Sequence, residues 1–147
     1  MRLPQLLAAF ATLAVAASAM EAIWYLAVAE GFYQERIGAL MNVQFDVFVA
    51  FLFYFFYALG AIIFAVGPAL QAGSLRLALR NGAMYGFFCF SAHNLTDLAD
   101  VKGYSAQVAA IDMAWGTCMT AVACVLSYLL GHSLAVPGAT TPTAGAR

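Results

Sequence analysis

Ala106–Leu130 reads AQVAAIDMAWGTCMTAVACVLSYLL, twenty-five residues whose one charged side chain is Asp112. As helix, a run of this length rises about 37 Å at ~1.5 Å per residue, enough to cross the roughly 30 Å hydrocarbon layer of a bilayer. A carboxylate inside such a run costs on the order of 2.5–3.5 kcal/mol on insertion scales. A chain that keeps one uses it, either for function or to hold its helices together.

Working outward, three further stretches are long and apolar enough to cross: Leu6–Ala29, Phe45–Val66 and Leu77–Leu98. Glu21, Asp46 and Asp97 sit inside these runs or at their ends. Between the runs lie a polar loop (Glu30–Gln44), a Pro/Gly/Ser turn (Gly67–Ser74) and a short charged link (Ala99–Ser105). The fold expected is all-α: one integral-membrane four-helix domain over residues 1–135, followed by a Pro/Gly/Ala/Thr-rich tail, 136–147, that should be disordered.

Composition agrees. The chain has 147 residues, 65% hydrophobic and 9% charged, with mean hydropathy +0.87. A soluble domain is about 45–50% apolar. Six basic residues against seven acidic ones, with no basic run, argue against nucleic acid as a partner. Cys89, Cys118 and Cys124 lie in apolar runs without CxxC spacing and read as reduced, buried small hydrophobes.

The first run has a rival reading. Arg2, the Ala/Leu-rich stretch and Ala17-Ser18-Ala19 resemble a secretory signal with a small-residue cleavage site. The apolar run continues through Ile23–Ala29, longer than such signals need, which favours a retained helix. In a four-span layout Arg2, Arg76, Arg80 and Arg147 fall on one side, Arg36 and Lys102 on the other. The positive-inside rule then puts both termini in the cytoplasm.

Helical rise converts positions to depth below the outer surface. Glu21 falls roughly 13 Å down, Tyr54 at a similar level, His93 and Asn94 roughly 8–9 Å, and Asp112 roughly 9 Å. Each of the four helices thus offers a hydrogen-bonding group near one level, and such groups turn inward because unpaired they are costly in lipid. On the third run Gly82, Gly86, Phe90, His93 and Asp97 follow i, i+3/i+4 spacing, with a GxxxG pair that admits a close neighbour. On the fourth, Asp112, Gly116, Met119 and Ala123 form a stripe, and on the first Glu21 stands above Ala17 and Ala14. Trp24 and Trp115 each follow an acid by three residues and share roughly its face, so each indole N–H is a candidate donor to a carboxylate, the alternative being a lipid-facing or packing ring. The plain alternative is a packed, hydrogen-bonded core. The aromatic run Phe51–Tyr57 covers every side of its helix, so most of its rings face lipid, Tyr54 and Tyr57 excepted.

Much chemistry is ruled down. His93 and His132 stand at opposite ends of the layout and cannot share one haem iron, and the single lysine, Lys102, is in a loop, away from any retinal. No HExxH, P-loop, GxSxG or CxxC occurs. Asn94-Leu95-Thr96 matches a glycosylation sequon but lies within a span. Asp97, His93 and Asp112 are a set that a structural network uses as readily as a metal; no metal and no cofactor are expected.

The run His93-Asn94-Leu95-Thr96-Asp97-Leu98-Ala99, then Lys102-Gly103 and Asp112-Met113-Ala114-Trp115-Gly116-Thr117, resembles a bacterial family of small predicted membrane proteins, domain of unknown function 2177. The Glu21–Trp24 step, Gly31-Phe32-Tyr33 and Phe53-Tyr54…Tyr57-Ala58 extend the resemblance over all but the tail. It implies four helices, a retained first span and a multi-pass place in the bacterial inner membrane. The chain departs from the family pattern in carrying Asn94 then Asp97 where the pattern has Asp then Asn, His93 in place of Tyr, and Glu21 in place of Asp.

Three functions stay open on this reading. The first is a non-catalytic accessory protein or lipid- and hydrophobic-ligand-binding protein, alone, as a homo-oligomer or in a larger membrane complex. The second is a small proton-coupled transporter using Glu21 or Asp112. The third is a membrane-embedded enzyme acting on lipid, with His93 oriented by Asp97 or Asp112. The candidate ligand or proton site is Glu21, Trp24, Tyr54, His93, Asn94, Asp97, Asp112 and Trp115, with Gly82, Gly86 and Gly116 as packing positions and no catalytic residue named.

Overall fold

Long apolar segments satisfy their backbone N–H and C=O groups by forming helices, and the computed structural model, which describes residues 3–41, 44 and 46–134, is helical almost throughout. In chain order, α1 (Leu3–Trp24) passes through a π-helical turn, Tyr25–Ala29, into the short α2 (Glu30–Ile37) and a 3₁₀ turn, Gly38–Leu40. Next come α3 (Val47–Ala61), a second π turn, Ile62–Val66, and α4 (Gly67–Ala72) as one rod, then α5 (Leu75–Asp100) and α6 (Ala106–Ser133). Among the described residues three stretches are long and apolar enough to cross a membrane: Leu3–Val28, Val47–Ala72 and Ala106–Ser133. The expected third span falls on α5, which at 26 residues is long enough but carries Arg76, Arg80, His93, Asn94 and Asp97 and does not qualify by composition. The tail expected to be disordered lies outside the described residues, as does Phe45 at the start of the expected second span.

Two connections differ from expectation. The Glu30–Gln44 segment, read as a loop, contains α2. Gly67–Ser74, read as a turn, stays helical to Ala72, and the chain reverses only at Gly73 (φ 61) and Ser74. Pro68 would normally break a helix, because it has no N–H to give the carbonyl four residues back. The π turn ahead of it shifts the bonding by one residue, and that carbonyl, Phe64 O, accepts from Asn81 Nδ2 of α5 at 3.4 Å. Caps fix the other starts. Ser74 and Ser105 accept from Leu77 N and Val108 N, and Asp46 accepts from Phe48 N and Val49 N, both at 3.0 Å. Asp46 is therefore a helix cap at an exposed end.

The helices pack along ridges of residues four apart. On α1 the ridge is Gln5, Ala9, Leu13 and Ala17, all buried, and it continues to Glu21. It meets α6 antiparallel in constant register: Gln5 Nε2 donates to Gly131 O at 3.3 Å, and Ser127 Oγ to Ala9 O at 2.7 Å. On α5 the ridge is Ala78, Gly82, Gly86, Phe90 and Asn94, set against Cys124, Thr120, Gly116 and Asp112 of α6. Of the two glycines on this ridge, Gly86 is the one where an added methyl would come nearer to the α6 backbone. A methyl there would collide with Thr120 Oγ1 and stand 2.6 Å from the Gly116 carbonyl. Gly116 in turn makes room for the Phe90 ring. On the other side of α5, Tyr85 donates to Tyr57 O at 3.2 Å, and Tyr57 is hydrogen-bonded to Thr120. Of the three cysteines expected to be buried, Cys124 is, Cys89 is half-buried and Cys118 is exposed.

Candidate functional site

Asp112 lies two turns into α6, and Asn94 is the last member of the α5 ridge, with no exposed surface. Asn94 Nδ2 donates to Asp112 Oδ2 at 2.7 Å and to the Phe90 carbonyl at 3.0 Å. Its own carbonyl is taken by Tyr104, which follows Gly103 (φ 87) in the α5–α6 turn and donates to Asn94 Oδ1 at 2.9 Å. The other carboxylate oxygen, Asp112 Oδ1, accepts from the Tyr33 hydroxyl of α2 at 3.0 Å, and Trp24 Nε1 approaches that hydroxyl at 3.4 Å. Residues from the end of α1, α2, α5, the following turn and α6 thus converge on one carboxylate.

Glu21, at the upper end of the α1 ridge, accepts from Trp115 Nε1 at 3.0 Å. The two indoles lie stacked, centroids 4.5 Å apart. Among the described residues neither Glu21 nor Asp112 pairs with a lysine, arginine or histidine; the ion pairs are Arg36–Glu35 and His93–Asp97. Both acids are held by neutral donors. Outside the spans, burial and the nearby Asp112 and Glu21 charges, set against the Trp24 hydrogen bond, keep the Tyr33 proton well above its ordinary 10.0. Burial, with the charges of Asp112 and Asp97, pushes Tyr104 up to about 12. Both hydroxyls therefore remain donors.

Glu21, Trp24, Asn94, Asp112 and Trp115 are brought together in this way. Tyr54 lies beside them on α3, within electrostatic reach of Glu21, and lines an open apolar groove of about 400 Å³ with Phe10, Ala14, Ser18, Phe51 and Phe55. His93 and Asp97 are not part of the network. His93 Nδ1 pairs with Asp97 Oδ2 at 3.4 Å on their own helix, and the imidazole is 64% exposed. The reason is the ridge. A four-residue step turns the face by about 40° on a helix of ~3.6 residues per turn, so the contact line reaches Asn94 and leaves His93 behind. Among the described residues no three His, Cys, Asp or Glu side chains are grouped to hold a metal ion.

Tyr33 and Tyr104 are the partners that the pattern of apolar runs does not single out. Both stand just outside a span, at the level from which a phenol reaches down into the layer, and that position is the signal that would have found them. The indoles are exchanged relative to the spacing: Trp115 serves Glu21, and Trp24 contacts the Tyr33 hydroxyl that serves Asp112.

No curated protein and no solved structure matches the chain. The family described as "Predicted membrane protein (DUF2177)" matches residues 6–129, a stretch that takes in every residue of the polar layer. The chain belongs to that family of predicted membrane proteins.

Proposed function

We propose that the chain is a four-span, non-catalytic protein of the bacterial inner membrane, with both termini cytoplasmic, that binds a lipid or other hydrophobic ligand at its polar layer. The observation that carries this is the Asp112 carboxylate, held on both oxygens by Tyr33 and Asn94 inside a stretch that qualifies as a span. A carboxylate at that depth is costly unless bonded. Here the bonds come from neutral groups on two different elements, Tyr33 of α2 and Asn94 of α5.

The register of α5 supports a fourth span. It lies antiparallel to α6, from Gly82 against Cys124 to Asn94 against Asp112, so it shares the depth of α6. Its charged residues stand toward its two ends, with Arg76 and Arg80 at one and Asp97 and Asp100 at the other. Arg76 and Arg80 at the inner end fit the positive-inside rule.

Native mass spectrometry of protein gently extracted from its own membrane tests the reading. A discrete extra mass on the wild type that disappears in Asp112→Asn supports it. A bare monomer or dimer, or co-extraction with a larger assembly and no ligand, leaves the layer as packing and overturns it. One observation favours a second reading, proton-coupled transport. Two intramembrane acids stand close together without a cation among the described residues, and a bound proton would neutralise either. Proteoliposomes that show no pH-linked flux over a broad substrate panel would dispose of it.

A further inference from the structure

The groove beside Tyr54 has a chemistry at its head that its walls do not share. Its lining is nearly all apolar: Phe10, Ala14 and Val15 from α1 and Phe51 and Phe55 from α3, with Ser18 of α1 and Tyr54 of α3 as its polar members. Phe10 meets Phe55 edge-on at 5.7 Å, which closes the floor between the two helices. Glu21 lies three residues above Ser18 on α1, the spacing at which helix residues stand one above the other. By the same geometry it occupies the border between the face toward α6 (Leu13, Ala17) and the face toward α3 (Ala14, Ser18). Its Oε2 accepts from Trp115, while no hydrogen bond to Oε1 and no cationic partner occur among the described residues.

A carboxylate at the head of an apolar, aromatic-walled groove selects by charge. An anion is repelled, and a neutral acyl chain gains nothing from Glu21. A phospholipid amine rides at the headgroup level, well above a group roughly 13 Å down. A second copy of this chain packed isologously on the same groove would bring its own Glu21 toward the first. A compact organic cation with an apolar body answers both parts: aromatic faces attract cations, and ligand sites of this kind run about 300–1,000 Å³, a range that includes the groove's 400 Å³. We propose that the α1–α3 groove, with Glu21 at its head, binds a lipophilic organic monocation. This rests on the hydrophobic-ligand reading above and names the ligand's class.

The test uses the full-length protein in neutral detergent and equilibrium dialysis with tetraphenylphosphonium, alongside tetraphenylborate, an anion of the same shape. Saturable binding of the cation alone is expected. Glu21→Gln should weaken it about tenfold or more, as expected where a charge-assisted contact is lost. Ala14→Phe, which fills the groove and leaves the acid in place, should abolish it. Should Glu21→Gln not fold, Ala14→Phe decides. Equal binding of the anion, or unchanged cation binding in a folded Glu21→Gln or Ala14→Phe, overturns the proposal. So does a wild type with no saturable cation binding. If that wild type still retains an Asp112-dependent mass, only the cation assignment falls; if it retains none, the hydrophobic-ligand reading falls with it.

Discussion

The indole rings of Trp24 and Trp115 lie face to face, 4.5 Å between centroids and 10° from parallel. Stacked this way, two helices lock at the level of their acids, and each N–H points to a partner away from its own helix. Trp115 donates to Glu21 of α1, and Trp24 to Tyr33 of α2. The stack therefore couples the Glu21 end of the layer to the Asp112 end.

Trp115→Phe should expose how much of that coupling is hydrogen bonding. Phenylalanine keeps a ring in the stack but leaves Glu21 without its donor. A bond to a charged group, discounted for the modest values found inside membranes, is worth about 1–2 kcal/mol. The double variant with Glu21→Leu should recover most of the loss, because removing both partners leaves nothing unpaired. Thermal or denaturant unfolding in detergent of the two singles and the double gives the cycle. Additive losses would mean the bond contributes nothing.

Substitution at Asp112 should grade by what it leaves unsatisfied. Asp112→Leu strands the Tyr33 hydroxyl and one Asn94 N–H, at about 1–3 kcal/mol for each buried group left unpaired. Asp112→Asn should cost less. Its amide oxygen still accepts from Asn94 Nδ2, which keeps its bond to the Phe90 carbonyl, and its NH₂ can donate to the Tyr33 oxygen, so that only the Tyr33 proton loses its acceptor. Folded yield and melting temperature should fall in the order wild type, Asn, Leu. A Leu variant as stable as wild type would show the network to be incidental.

Helical content was readable from the apolar runs alone, since a segment such as Ala106–Leu130 has no other way to satisfy its backbone in lipid. That Glu21, Asn94 and Asp112 stand near one level also followed from helical rise. What the sequence hid was which side chains at that level face inward. His93 and Asn94 are neighbours, and i+3 and i+4 spacing admits either; the ridge on α5 steps by four throughout and selects Asn94. Tyr33 and Tyr104 were hidden for a different reason. They come from connections, where no periodicity marks the buried side, and their return over the helix ends is a tertiary event. Pro68 misled because a proline marks a helix end unless a π turn absorbs it.

The close approach at Gly86 predicts a contrast between two glycines. Gly86→Ala puts a methyl 2.6 Å from the Gly116 carbonyl, where backbone must move, at about 1–3 kcal/mol for overpacking. Gly31 lies in α2 with nothing within 4 Å of an added methyl. Gly31→Ala should therefore be neutral or should stabilise, by up to about 0.5–1 kcal/mol of helix propensity. The two melting temperatures relative to wild type check this, and shifts of the same sign would contradict the packing described.

The tyrosines on Asp112 and Asn94 should set the alkaline limit of the fold. In the folded protein Tyr33 stays protonated well above 10.0 and Tyr104 to about 12, mainly through burial, whereas in the unfolded chain both ionise near 10.0. Below pH 10 the two states hold the same phenolic protons, so the contribution of these groups to stability is fully present and independent of pH. Above it the folded state holds more protons than the unfolded one, and stability must fall as pH rises. The Tyr33→Phe, Tyr104→Phe double variant should start less stable, since Asp112 and Asn94 each lose a donor, but should decline less steeply above pH 10. Unfolding midpoints at pH 8, 10 and 11 measure both slopes, and equal slopes would mean that the two hydroxyls are not held as donors in the folded protein.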